Sequence, residues 1–364
     1  MQAIAPYCKF AYLLLAATIL CSCAGNTDQS VEVYDYKLHY ACSGAGRDNA
    51  IYWIEQVLQG AESGGSPDFF AISQLEKQTI DLPTNFRALG AFCDHAGSEK
   101  YADVIGILYD ASIWRLQASF PKDRAGDACP LPDDSLPPTT CVWGQSTPCC
   151  ACTGNPEASA VEGGKPIGDR AFVIGRFADQ QANELCVVTA NLPHPVNAQN
   201  QRGCDLATPV DCLRNSDNSG PFGTENFVEQ LTLICGDVRR VIFLGDTNAS
   251  SPDWSLSQMF PDGPLSEMQE ADSDHYTCCF DLDANTQESP TQINRYPSDR
   301  IGARSASSVV TTGGSVAPGI PMRAPTVYRQ DSCPASSPPE SYGFPCCGSP
   351  EEHAPLRSVI KFGS

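Results

Sequence analysis

Residues 241–250 read Val-Ile-Phe-Leu-Gly-Asp-Thr-Asn-Ala-Ser. Four apolar residues in a row make a short strand with no polar face, so other layers must cover it on both sides. Gly245 ends the run. Asp246 and Asn248 then leave the carboxyl end two positions apart, and so on the same side. A carboxylate and an amide held there can orient a water or a phosphate oxygen. The same letters also describe an Asp-Thr-Asn turn that merely closes a core strand. The rest of the chain decides between these readings.

The start of the chain reads as a secretory signal, residues 1–24. Lys9 precedes an apolar run from Phe10 to Leu20, followed by small residues, Cys21-Ser22-Cys23-Ala24-Gly25. That run falls short of the roughly 20 apolar residues a bilayer crossing needs. Leu20-Cys21-Ser22-Cys23 also resembles a loose lipobox, which would leave Cys23 lipid-anchored. Three of the 19 cysteines lie in this segment, leaving 16. An even, high count behind a signal peptide points to disulfides in an oxidising compartment. Cys149-Cys150, Cys278-Cys279 and Cys346-Cys347 are adjacent pairs, and adjacent cysteines pair better elsewhere than with each other. Cys149, Cys150 and Cys152 could instead hold zinc, but their spacing fits no standard module.

The net charge of −20 argues against broad attraction to nucleic acid or anionic membranes. It does not exclude a nuclease, since a local basic patch or a divalent ion can meet phosphate charge.

Residues 31–40 alternate, with Tyr34, Tyr36, Leu38 and Tyr40 on one face and Asp35, Lys37 and His39 on the other, which predicts a strand. Residues 48–59 carry Ile51, Trp53, Val57 and Leu58 at helical spacing. Further strands are expected at 68–75, 87–92, 102–109, 114–120, 171–177, 185–192, 241–244, 300–301, 307–311 and 358–362, with a second helix at 225–235. Tyr109 and Trp114 read as packing residues rather than substrate platforms. Three stretches, near 121–166, 195–221 and 318–350, are rich in Pro, Ser or Cys and too poor in apolar residues for cores of their own. They read as disulfide-stapled surface loops inserted in one domain, residues 25–364.

Five motifs place polar groups at strand ends. Phe69-Phe70-Ala71-Ile72-Ser73-Gln74-Leu75-Glu76 ends in a carboxylate, and Thr189-Ala190-Asn191-Leu192-Pro193-His194 in an amide and an imidazole. Gly245-Asp246-Thr247-Asn248, Ser298-Asp299-Arg300-Ile301 and Glu351-Glu352-His353-Ala354-Pro355 follow. In order and spacing these resemble the endonuclease/exonuclease/phosphatase superfamily, the DNase-I-like fold, from Val31 to Phe362. The resemblance implies an α+β, four-layer sandwich: two stacked mixed β-sheets flanked by helices. It implies a Mg²⁺- or Mn²⁺-dependent hydrolase acting on a phosphate ester, whether nucleic acid, phospholipid or small phosphodiester; a monomer is expected.

Residue by residue, the resemblance makes Glu76 the metal ligand, a hard oxygen of the kind magnesium prefers. It makes Asp246 and Asn248 the pair that orients water and phosphate, and Asp299 the acid before the Arg-Ile strand. His353 becomes the general base, or the group bonded to the scissile phosphate, with Glu352 orienting it. Asn191, His194 and Arg300 fall where substrate would bind.

Three positions depart from the family pattern. The Asn expected at the end of the first strand is missing, its place being read as Tyr40-Ala41-Cys42-Ser43. Asn191 stands where a His is usual. Glu351-Glu352-His353 replaces Ser-Asp-His. These changes keep an alternative in view, a catalytically inactive DNase-I-like binding module. Asn248-Ala249-Ser250 is also formally a glycosylation sequon; a glycan there would block the cleft, so the site reading and the glycan exclude each other.

Overall fold

Gly245 fixes how the central strands approach one another. A Cβ built on it would lie 2.2 Å from the carbonyl oxygen of Ala190, and its φ is +154°. Only glycine lets strand 241–246 run this close to strand 184–191 at their carboxyl ends. The two strands are parallel and pair from Cys186–Val241 to Asn191–Asp246.

The computed structural model describes residues 29–38, 45–60, 65–75, 79–93, 103–131, 147–153, 170–192, 224–247, 255–270, 299–311 and 355–363. They form two six-stranded mixed sheets. The first holds β1 (Gln29–Lys37), β2 (Phe69–Ser73), β3 (Phe86–Cys93), β4 (Asp103–Asp110), β11 (Ala306–Thr311) and β12 (Leu356–Phe362), in the order β11-β12-β1-β2-β4-β3. The second holds β5 (Arg115–Phe120), β6 (Phe172–Ala178), β7 (Glu184–Asn191), β8 (Val241–Asp246), β9 (Gln269–Glu270) and β10 (Asp299–Arg304), in the order β5-β6-β7-β8-β10-β9. Each sheet has one parallel pair at its centre, β1–β2 and β7–β8.

Helices cover the outer faces, so the four layers implied by the resemblance are present. Helix α1 (Ala45–Leu58) lays Trp53 against Tyr34, Tyr36 and Phe70, with ring centroids 5.8–6.4 Å apart. Helix α2 (Thr224–Cys235) covers the second sheet, where Phe227 packs edge-on to Phe172 at 5.0 Å and Cys235 is bonded to Cys186 of β7. Between the sheets, Phe69 and Tyr109 close on Phe177 at 5.0 and 4.9 Å. Trp114 donates from Nε1 to Asp68 at 2.8 Å, which satisfies the polar edge of a buried indole. Tyr109 and Trp114 are thus packing residues.

The polar face of β1 is covered: Asp35 and Lys37 are buried, as Tyr34 and Tyr36 are. Alternation alone cannot tell a solvent-facing side from a polar side covered by a second sheet. One expectation changes: the 121–166 insertion is not purely superficial, because Cys129, Cys150, Ala151 and Cys152 are buried. Residues 147–153 form a clasp between the sheets. Cys150 bridges to Phe92 of β3, and Cys152 bridges to Ala171 beside β6. Disulfides Cys93–Cys152 and Cys129–Cys149 lock it, and Cys150 is disulfide-bonded as well. Cys149 thus pairs away from its neighbour, and the zinc alternative for Cys149 and Cys152 falls.

Gly245→Ala should lower stability by about 2–5 kcal/mol, combining backbone strain with a contact that only backbone movement can relieve. Urea unfolding of the variant checks this; a midpoint equal to the parent's would mean that β7 and β8 separate at no cost.

Candidate functional site

Side chains at paired positions of neighbouring strands share a face. Asn191 pairs with Asp246 and Asp246 with Asp299. The three form one row across β7, β8 and β10 at the carboxyl end of β8. All are buried. The row faces the first sheet, because Lys37 Nζ of β1 donates to Asp246 Oδ2 in a buried ion pair. Asp35 lies two residues back on the same face of β1, and Ser73 pairs with Lys37 from β2. Asn191, Asp246 and Asp299, three of the residues drawn from separate sequence motifs, are therefore together on one rim, opposite the end of the first strand.

That end is Lys37. Residues 40–43, where the family's asparagine was looked for, lie outside the described residues. The residue facing the row at the end of β1 is a lysine.

Arg300 does not join the row. Neighbours in a strand face opposite ways, so Asp299 points inward and Arg300 outward. The guanidinium pairs with Glu270 at 2.5 Å and donates to Thr247 Oγ1 at 3.3 Å. Glu270 also accepts from the backbone N–H of Leu256 at 2.5 Å, where the short helix α3 (Leu256–Met259) starts. Arg300 holds the Gly-Asp-Thr turn from behind; a substrate contact was expected of it. Glu76, His194, Asn248, Glu352 and His353 lie outside the described residues.

Sequence reasoning missed Asp35, Lys37 and Gln74. The signal for the first two was present, since a lysine and an aspartate two apart in an otherwise aromatic strand need a partner if covered. Gln74 leaves β2 in a left-handed conformation, φ +57°, with its side chain buried. Such backbone in a residue other than glycine costs about 1–3 kcal/mol and persists where its surroundings impose it. The turn carries the chain from Ser73 toward Glu76.

Burial pushes the Asp35 carboxyl well above the ordinary carboxylate range; Asp299 and Asp246 push it the same way, and Lys37 opposes them. Neither carboxyl oxygen of Asp35 has a hydrogen-bond partner among the described residues, nor do Ser73 Oγ, Gln74 Oε1 and Thr189 Oγ1. Among the described residues the rim thus gathers acceptors and hydroxyls around one ammonium, that of Lys37.

Comparison with known proteins supplies structural likeness only. No family model matches the chain, and no curated protein matches it. Similar solved structures include an endonuclease/exonuclease/phosphatase family protein from Bacteroides thetaiotaomicron, 13% identical, covering 93% of this chain and 97% of that one, with a TM-score of 0.48. A mannosyl-6-phosphatase from the same organism is 14% identical, covering 91% and 100%, with a TM-score of 0.47. D. rerio TDP2 complexed with single strand DNA product is 13% identical, covering 93% and 100%, with a TM-score of 0.46.

The donor set of the described residues does not fit a divalent ion as it stands. Magnesium demands near-octahedral oxygen ligands. Here Asp246 is taken by Lys37, and among the described residues no three His, Cys, Asp or Glu side chains are grouped to hold a metal.

An acid with a raised folded pKa binds more protons folded than unfolded, so stability falls as pH rises from the ordinary Asp value of 3.8 toward the raised value. Asp35→Asn removes that loss. The variant should be more stable than the parent near pH 7, with the gain shrinking to nothing toward about pH 4. Denaturant midpoints across this range check it; parallel pH curves for parent and variant would place the charge elsewhere.

Proposed function

We propose that the chain is a secreted hydrolase of phosphate esters, acting at the rim where β1 meets β7, β8 and β10. One observation carries the reading: Asn191, Asp246 and Asp299, from three motifs far apart in sequence, stand in one buried row. Buried polar groups are expensive, and a row of them at strand ends is more readily explained by a ligand than by folding.

Within this reading Asp246 and Asn248 orient the attacking water and the phosphate. Asn191 and His194 hold phosphate oxygens. Asp299 flanks Asp246 on the neighbouring strand. His353 moves the proton, and Glu352 accepts from one ring nitrogen, which fixes the nitrogen that faces the ester. Arg300 anchors Thr247 and keeps the Asp246 turn in place. Magnesium or manganese is the cofactor the motifs imply, with Glu76 as the ligand; when bound it would neutralise charge on the phosphate. No step above is routed through it.

A second reading, an inactive binding module of the same fold, is favoured by one particular feature: the ammonium of Lys37 sits on Asp246, the residue most central to the chemistry.

Release of nitrophenol from bis-nitrophenyl phosphate, with magnesium, manganese or EDTA, separates the two. The parent should turn over. His353→Ala should lower turnover by about 10²–10⁴, the usual range for an acid–base group, with stability unchanged. Glu352→Asp should keep or raise activity. Turnover surviving His353→Ala but lost in Glu352→Asp would misplace the motif. No turnover by any form with any metal would hand the reading to the binding module.

A further inference from the structure

Among the described residues three carboxylates share the rim, Asp35, Asp246 and Asp299, and all are buried. Taking such charges out of water is costly unless an opposite charge meets them. Among the described residues only two basic side chains are buried, Lys37 and Arg300. Arg300 is on the outer face, paired with Glu270. Lys37 is therefore the one buried cation on the inner face, and it is ion-paired with Asp246.

We propose that Lys37 is a resident cation of this rim: its ammonium stands at Asp246 where a divalent ion would have to stand, so Asp246 folds with its charge met without metal, and a metal reaches Asp246 only by displacing Lys37.

Two further observations support this. Asp35, buried and on the same face of β1 as Lys37, has both carboxyl oxygens without a hydrogen-bond donor among the described residues. Its nearest opposite charge along the strand is Lys37, which acts on it favourably while Asp246 and Asp299 act against it. One ammonium thus serves two carboxylates. Lysine also suits the place sterically. It is a compact charge on a flexible stem, with three donors and no demand for octahedral geometry. It reaches across the gap between sheets from a strand whose other acid besides Asp35, Glu32, is paired with Arg357.

The readout is stability and not turnover, and it compares variants, so an ion held through Glu76 in the hydrolase reading leaves it decidable. Thermal unfolding of the full chain with disulfides formed would be followed in EDTA, in millimolar Mg²⁺ and in millimolar Mn²⁺. The parent should gain less from either metal than a variant without the Lys37 ammonium. Lys37→Met should fall by on the order of 10 °C in EDTA, because it strands buried carboxylates. It should regain most of that loss with Mg²⁺ or Mn²⁺. Lys37→Met combined with Asp246→Asn should be more stable in EDTA than the two single losses sum to, since charge and countercharge leave together. If Lys37→Met does not fold, Asp246→Asn and the double variant still decide: a double variant no more stable than Asp246→Asn overturns the pairing. A parent that gains as much from Mg²⁺ or Mn²⁺ as Lys37→Met does would show that Lys37 does not exclude the metal and would overturn the proposal. A Lys37→Met variant that ignores both metals would overturn the displacement.

Discussion

The ion pair between Lys37 and Asp246 joins the centres of the two sheets at the rim where the polar groups gather. Elsewhere the sheets meet through apolar side chains such as Phe69, Tyr109 and Phe177. Apolar contact is non-directional and tolerates sliding, whereas a buried charge pair is satisfied in one geometry only. Removing one partner of such a pair costs about 3–5 kcal/mol, far more than an exposed pair contributes. Register within each sheet then carries that fixed point outward. Asn191 and Asp299 are level with Asp246 because their strands pair with β8 there, and Ser73 is level with Lys37 for the same reason.

A second device holds the layers from the side. Thr153, at the end of the 147–153 clasp, places its hydroxyl 2.9 Å from the carbonyl oxygen of Asn191 and 3.0 Å from that of Arg170. One residue earlier, Cys152 is bonded to Cys93 of β3 in the other sheet. A disulfide from the edge of one sheet therefore reaches, through two residues, the strand end that supplies Asn191. On the far side, Cys186–Cys235 ties β7 to α2. β7 is gripped at both ends, which suits a strand whose last residue must hold an amide in place. The cysteines serve the site's rigidity as well as the stability of a chain with long loops.

Most strands were legible in the sequence because their apolar runs are long and end in Gly, Pro or acidic residues. What escaped did so for physical reasons. β9 has two residues and α3 four, too few for any period to register. The first strand was expected through Tyr40; its pairing with β2 ends at Lys37 and Ser73, and residues 39 and 40 lie outside the described residues. Attention to residues 40–43 as the strand's end left the lysine out of the site. The grouping of Asn191, Asp246 and Asp299 was legible, since Asn191 and Asp246 close apolar strands and Asp299 opens one. The outward turn of Arg300 was legible too, from its place next to Asp299, but the family motif drew attention to its charge rather than to its face. The partnership of Lys37 with Asp246 was not legible, because it spans 209 residues of sequence and two layers.

The same arrangement bears on what the rim can bind. A polyanion is held by Lys and Arg side chains that exchange counterions for phosphates. Among the described residues the two buried basic side chains are already committed, Lys37 to Asp246 at the rim and Arg300 to Glu270 behind it, and the chain as a whole carries −20. A long nucleic acid would need a local basic patch or a divalent ion beyond these two side chains. A small ester presents one phosphate. Its binding would rest on neutral donors such as the Asn191 amide and on whatever charge Lys37 surrenders. On the proposed hydrolase reading, Lys37 could turn toward a phosphate only by leaving Asp246, so ligand entry and the ion pair between the sheets would be coupled, and the group that fixes the fold at this point would also be the one a substrate has to negotiate.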